Sequence, residues 1–122
     1  MLKYLLMIAA LIGVGFAAEP AEPARVRSLK ITLLSTMLAD GRELGEWGFA
    51  ALVEVDGRRI LFDTGTHPDL VLNNARSLGI DLTSISDVVL SHHHPDHVGG
   101  LLTLREAVRS KTPAALARVH VA

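Results

Sequence analysis

Apolar and polar positions alternate strictly over Leu29-Lys30-Ile31-Thr32-Leu33, the period of a half-buried strand. A polar, glycine-bearing loop follows over residues 39–46. Two apolar runs come next, Phe49 to Val55 and Arg58 to Phe62, joined by Asp56-Gly57. That dipeptide predicts a tight hairpin, because both central residues of a type I′ turn need positive φ. Beyond Asp63-Thr64-Gly65 the period lengthens to that of a helix. It starts near Pro68, whose fixed φ suits a first helical position, with Thr66 or His67 as cap and Gly79 as its end. Leu70, Val71, Asn74, Ala75 and Leu78 share one side of it and should pack on the sheet. Asp87 to Ser91 reads as a short buried strand. A second helix follows Gly99-Gly100, with Leu101, Leu102, Leu104, Ala107 and Val108 as its apolar side, and stops before Pro113. Residues 118–122 begin another strand, and no internal repeat is visible.

At 122 residues and 49% hydrophobic composition, the chain has the size of one small domain. Its front end reads as an address. Lys3 precedes an apolar run from Tyr4 to Phe16, and Gly15-Phe16-Ala17 places small residues where a signal peptidase reads them. The expected organisation is a signal peptide over residues 1–18, a linker rich in Glu, Pro and Ala over 19–28, and the folded domain over 29–122. The protein is then periplasmic or secreted. The apolar run is shorter than the roughly 20 residues a membrane span needs, so no stable span is expected after cleavage. With no cysteine, disulfides and thiolate zinc sites are excluded, and any metal must be held by nitrogen and oxygen. A net charge of -1 with scattered arginines gives no footprint for nucleic acid.

The chemistry concentrates in Ser91-His92-His93-His94-Pro95-Asp96-His97-Val98-Gly99-Gly100. A histidine run at the end of a buried strand, broken by proline, puts its side chains on a loop over the sheet edge, where they can converge. His92 and His94 point the same way in extended chain, while His93 points away. Asp96 and His97, beyond the turn at Pro95, reach a second point nearby. Neutral imidazole and carboxylate suit zinc, and iron(II) or manganese accepts the same donors. The two glycines let the backbone pass close beneath a metal and start the next helix without a clash.

The spacing of His92, His94, Asp96 and His97 resembles the His-x-His-x-Asp-His signature of the metallo-β-lactamase superfamily. Leu61-Phe62-Asp63-Thr64-Gly65 resembles the strand-and-turn motif that precedes it there. The order of hairpin, LFDTG, helix, Leu78-Gly79-Ile80, short strand and SHHHPDHVGGL is similar to the N-terminal half of such folds over about residues 29 to 110. The Trp47-Gly48-Phe49 stretch, together with the Leu78-Gly79-Ile80 then Ser91-His92-His93-His94 layout, most resembles the branch grouped with dihydropterin-ribofuranosylaminobenzene phosphate synthase. The resemblance implies an α/β fold, the N-terminal half of an αββα sandwich with a mixed sheet and flanking helices. It further implies up to two zinc ions in a complete site, with His92 and His94 contributing to one and Asp96 and His97 to the other. Asp96 would stand beside the attacking water as the catalytic carboxylate, and Asp63 would orient a liganding histidine. The implied activity is metal-assisted hydrolysis of a small ester, lactone, lactam or phosphodiester.

Blander roles remain for several residues. Asp63 also fits a plain turn aspartate, His67 a cap or exposed loop residue, and His120 the solvent face of a strand. Trp47 fits core or rim packing, or a wall against substrate, and Lys111 and the arginines fit solvated faces. The superfamily's later ligands, a third histidine, a bridging aspartate and a last histidine, have no match beyond Gly100, where only His120 occurs. The chain is therefore expected to correspond to the N-terminal half of such an enzyme and by itself to bind at most one metal ion weakly, without meaningful hydrolysis. The alternatives are a non-catalytic zinc-binding module and an iron-dependent or transferase member of the fold. Val53, Val55, Ile60, Phe62, Val88 and Leu90 are expected on sheet faces that need partners, one apolar face being left open to water and inviting self-association.

Overall fold

In the computed structural model, which describes residues 25–122, Asp56 and Gly57 both take positive φ, 47° and 81°. They fold β2 (Ala50–Val55) onto β3 (Arg58–Phe62) in antiparallel register. β1 (Leu29–Ser35) pairs along the other edge of β2, also antiparallel, with an irregularity between Leu33 and Ser35. Asp56 fastens the start of β1 through the N–H groups of Arg27 and Ser28. The signal peptide and the first part of the linker expected from the sequence lie outside the described residues. Among those residues no helix is long and apolar enough to cross a membrane.

Past β3 the connections become crossovers. α1 (Leu70–Ser77) carries the chain to β4 (Asp87–Leu90), which lies parallel to β3. A one-turn helix, α2 (Pro95–Val98), and then α3 (Leu101–Arg109) carry it to β5 (Arg118–Val121), parallel to β4. The strand order β1-β2-β3-β4-β5 follows the sequence. Both crossovers step in the same direction, and right-handed connections then put both helices on the same face of the sheet. The fold is mixed α/β, a five-stranded sheet with flanking helices.

The covered face holds the core. Leu34, Leu52, Leu61, Val88 and Leu90 from the sheet meet Val71 and Ala75 of α1 and Leu104 and Val108 of α3, closed off by Leu82, Ile85 and Leu116. Each such buried aliphatic side chain contributes about 1.5–3 kcal/mol. On the opposite face the registered row Ile31, Val53, Ile60 and its neighbours Leu33 and Phe62 have no covering layer among the described residues. Leu29, Ile31 and Leu33 are more than half exposed there. Val88 and Leu90, also expected on faces awaiting a partner, lie under the helices, because Val88 pairs with Leu61, which faces that way, and Leu90 follows two residues on along the same face.

Other expectations shift by a residue or a turn. The cap of α1 is Asp69 rather than Thr66 or His67, and Leu78 is its exposed C-terminal residue instead of part of the packed face. Leu102 points outward at 81% exposure, since α3 turns its buried stripe through Leu104 and Val108. Pro95 does not prevent helix. It occupies the first position of α2, where its missing N–H costs nothing.

Candidate metal centre

The histidine cluster stands where β3 and β4 end side by side, the position outside the carboxyl ends of parallel strands where α/β sheets bind ligands. Two chain segments build it. The turn over residues 63–67 leaves β3, and the segment 91–100 leaves β4. Backbone bonds join them: Thr64 N–H to His97 O at 2.7 Å, Gly99 N–H to Gly65 O at 2.8 Å and Gly100 N–H to Thr64 O at 3.2 Å. The approach leaves no room for a side chain. A Cβ on Gly99 would stand 1.9 Å from Thr66 O, and one on Gly100 2.3 Å from Thr64 O. The glycines therefore serve contact with the 64–66 backbone, where the sequence suggested clearance beneath a metal.

Asp63 lies between the two segments with no solvent exposure, at φ 55°. As a carboxylate it accepts from Ser91 N–H at 2.8 Å, from Ser91 Oγ at 2.7 Å and from His97 Nδ1 at 2.7 Å. Ser91 Oγ, its proton directed at Asp63, accepts in turn from His92 Nδ1 at 2.9 Å. One buried carboxylate thus sets two rings, His97 directly and His92 through Ser91. In both, Nδ1 is occupied and Nε2 is left as the donor atom.

These donor atoms fall into pairs. His92 Nε2 lies 3.1 Å from His94 Nδ1, and His97 Nε2 lies 3.5 Å from Asp96 Oδ2. Two donors about 2.0–2.2 Å from one ion, at bond angles of about 90–120°, stand about 2.9–3.6 Å apart. Both separations fall in that range. Among the described residues no set of three or more His, Asp or Glu side chains is arranged around one point. The rings of His92 and His97 lie 4.1 Å apart between centroids, which brings the two pairs into one cluster. His93 is exposed, its ring 6.0 Å from that of His94.

The structure places His120 away from this cluster, on β5, where its Nε2 meets Asp87 Oδ1 at 2.8 Å. Arg118, His120 and Ser86 all bond Asp87 and hold its carboxyl far below the usual range. A residue the sequence did not single out is Glu46. Its side chain is buried against the 63–67 turn and accepts from the backbone N–H groups of Thr66 and His67.

The family model described as metallo-beta-lactamase superfamily matches residues 48–115 of the chain. Among curated relatives, 7,8-dihydropterin-6-methyl-4-(beta-D-ribofuranosyl)-aminobenzene-5'-phosphate synthase of Methanocaldococcus jannaschii is 39% identical over 70 residues. That match covers 54% of this chain and 24% of the relative. Ribonuclease Z of Methanopyrus kandleri is 39% identical over 57 residues, 47% of this chain and 19% of the relative. A solved metal-dependent hydrolase of the beta-lactamase superfamily superposes with a TM-score of 0.51 at 45% identity, over 62% of this chain and 27% of its own. The short form of human tRNase Z gives a TM-score of 0.54 over 67% of this chain and 30% of its own; at 23% identity this is a likeness of fold alone. The matched stretch spans about a quarter or less of the two curated relatives' length.

Proposed function

The chain belongs to the metallo-β-lactamase superfamily, and we propose that it carries the metal-holding part of a metal-dependent hydrolase acting on an ester, lactone, lactam or phosphodiester. The observation that carries this reading is the pair of two-donor sets at ligand spacing, with the unused ring nitrogens of His92 and His97 tied back to Asp63. His92 and His94 would hold one ion through Nε2 and Nδ1, and His97 and Asp96 a second through Nε2 and Oδ2. A bound zinc ion supplies Lewis acidity toward the substrate oxygen and makes water a nucleophile near neutral pH; iron or manganese would suit the same donors.

The residues themselves do the positioning. Asp63 keeps His97 in the tautomer that offers Nε2, and Ser91 passes the same constraint to His92. Asp96, at the first turn of α2, keeps one carboxylate oxygen toward His97 Nε2, where it can also hold the proton of an attacking water. The catalytic assignment of Asp96 rests on that placement. Export to the periplasm or medium belongs to this reading through the Lys3 and Tyr4–Phe16 pattern.

A second reading has its own support. Because the donors stand as pairs and no set of three is arranged among the described residues, the chain by itself could act as a zinc-binding module without turnover. Competition for zinc against a chromogenic chelator tests the shared premise, and lactam, ester, lactone and phosphodiester assays on the full-length protein separate the two. His94→Ala and Asp96→Ala should each weaken zinc binding at least tenfold and leave the circular dichroism spectrum unchanged. Unchanged zinc affinity in both variants would refute the ligand assignment.

A further inference from the structure

Glu46 and His67 form a second buried carboxylate with a histidine attached, at the other end of the same turn. The Glu46 side chain is 1% exposed, yet every lone-pair direction is used. Oε1 accepts from Ser35 Oγ at 2.6 Å and Thr66 N–H at 2.9 Å; Oε2 accepts from His67 N–H at 2.7 Å and from His67 Nδ1 at 2.7 Å. Burial alone would raise this carboxyl, but the bonds from Ser35 and from the backbone of His67 and Thr66 outweigh it and hold the group below its ordinary 4.5. Glu46 is therefore ionised at neutral pH and can only accept. His67 Nδ1 must carry the shared proton, and in the neutral ring the free lone pair sits on Nε2.

Burying the carboxylate does not require the ring. Ser35 and two backbone N–H groups already satisfy it, so the further bond from Nδ1 orients an imidazole whose side chain is 67% exposed. The backbone just before the ring adjoins the segment that carries the histidine cluster. Thr66, its neighbour, packs on Gly99, and a Cβ on Gly48 would lie 2.7 Å from Thr66 Oγ1 and 2.9 Å from Asp96 O. A single glycine thus separates the strand of chain that ends in His67 from the one that carries Asp96. Phe49 N–H, donating to Asp96 O at 3.1 Å, fixes the same junction.

We infer that His67, aimed by Glu46, is a proton-transfer residue of this site, passing a proton through Nε2 to the leaving-group oxygen of an ester or phosphodiester. The inference rests on the hydrolase reading above. Water adds to the carbon or phosphorus, and the proton it sheds passes by way of Asp96 to the free lone pair on Nε2. As the bond from the leaving oxygen to that carbon or phosphorus breaks, the oxygen takes this proton from Nε2 and departs as an alcohol, and the ring returns to its neutral Nδ1–H form. Glu46 is the positioning residue.

Nitrogen-15 spectra of the histidine rings give a test independent of turnover. In the full-length protein His67 should show the Nδ1–H tautomer and lose that preference in Glu46→Gln; an Nε2–H ring in the wild type overturns the proposal. Turnover gives the second arm, using aryl and alkyl esters and phosphodiesters. His67→Gln should lower kcat on the order of 100- to 10,000-fold for alkyl leaving groups, and far less for p-nitrophenolate, which needs no proton. KM and bound zinc should stay unchanged. Equal losses for both leaving groups, no loss, or loss of zinc would each refute the role. A wild type inactive on every substrate sinks the hydrolase reading and this inference together, whereas turnover indifferent to His67 sinks this inference alone.

Discussion

Glu46 shows what a single side chain does to the acid stability of the fold. Its carboxyl is held below the ordinary 4.5 by bonds from Ser35, Thr66 and His67 that outweigh the cost of burial. A group depressed on folding contributes stability that is fully present above its unfolded value and lost as pH falls through the folded one. Glu46→Gln should therefore cost about 1.5–3 kcal/mol near neutrality, since an amide cannot accept from all these donors. The deficit should shrink as pH drops below 4.5, which urea unfolding at stepped pH would measure. A pH-independent deficit would contradict the assignment. Nothing in the sequence pointed to Glu46, because its partners lie 11, 20 and 21 positions away and leave no local pattern. For the same reason His67 reads from sequence as a cap or an exposed loop residue; it is exposed, but its bond to Glu46 leaves no local sign. His92, His94, Asp96 and His97 were legible because their types and spacing are local, and the structure brings all four into one cluster.

At the level of elements, the site depends on how closely α2 docks on the 63–67 turn. Gly99→Ala would drive a methyl group into the Thr66 carbonyl, backbone against backbone, so neither side can yield by rotating a side chain. The expected cost is about 1–3 kcal/mol in chemical denaturation, with zinc affinity falling as the histidines shift. Leu102→Ala, at an outward position of α3, should change stability by no more than about 0.5 kcal/mol. Equal stability of the two variants would mean that the docking is looser than the contact implies. The hairpin was readable from Asp56-Gly57 because its turn needs positive φ at both residues. α2 was not, since a proline after a histidine run looks like a break until the chain before it is seen to be extended, as His94 is at ψ 147°. The outward turn of Leu102 was equally hidden: periodicity marks a stripe but not which of two adjacent leucines faces the sheet.

For the molecule as a whole, the same-handed crossovers leave one sheet face without a layer among the described residues, lined by Leu29, Ile31, Leu33, Val53, Ile60 and Phe62. We expect this face to drive self-association. Light scattering coupled to size exclusion should show mass rising with concentration, and Ile31→Lys with Leu33→Glu should return the chain toward monomer. A wild type monomeric at all concentrations would show that the face is tolerated in water. The open face was foreseeable from alternating apolar strands. Val53, Ile60 and Phe62 were expected on such a face and lie on it, whereas Val88 and Leu90 could not be assigned, because they read the same whether helices cover them or water does. Across the β3–β4 junction, finally, Asp63 ends two hydrogen-bond chains that begin on different donor pairs. His92 and His97 are therefore not separate bases: whatever removes that one acceptor frees both rings to turn and exchange tautomers, so the two donor pairs are kept or lost in an all-or-none way.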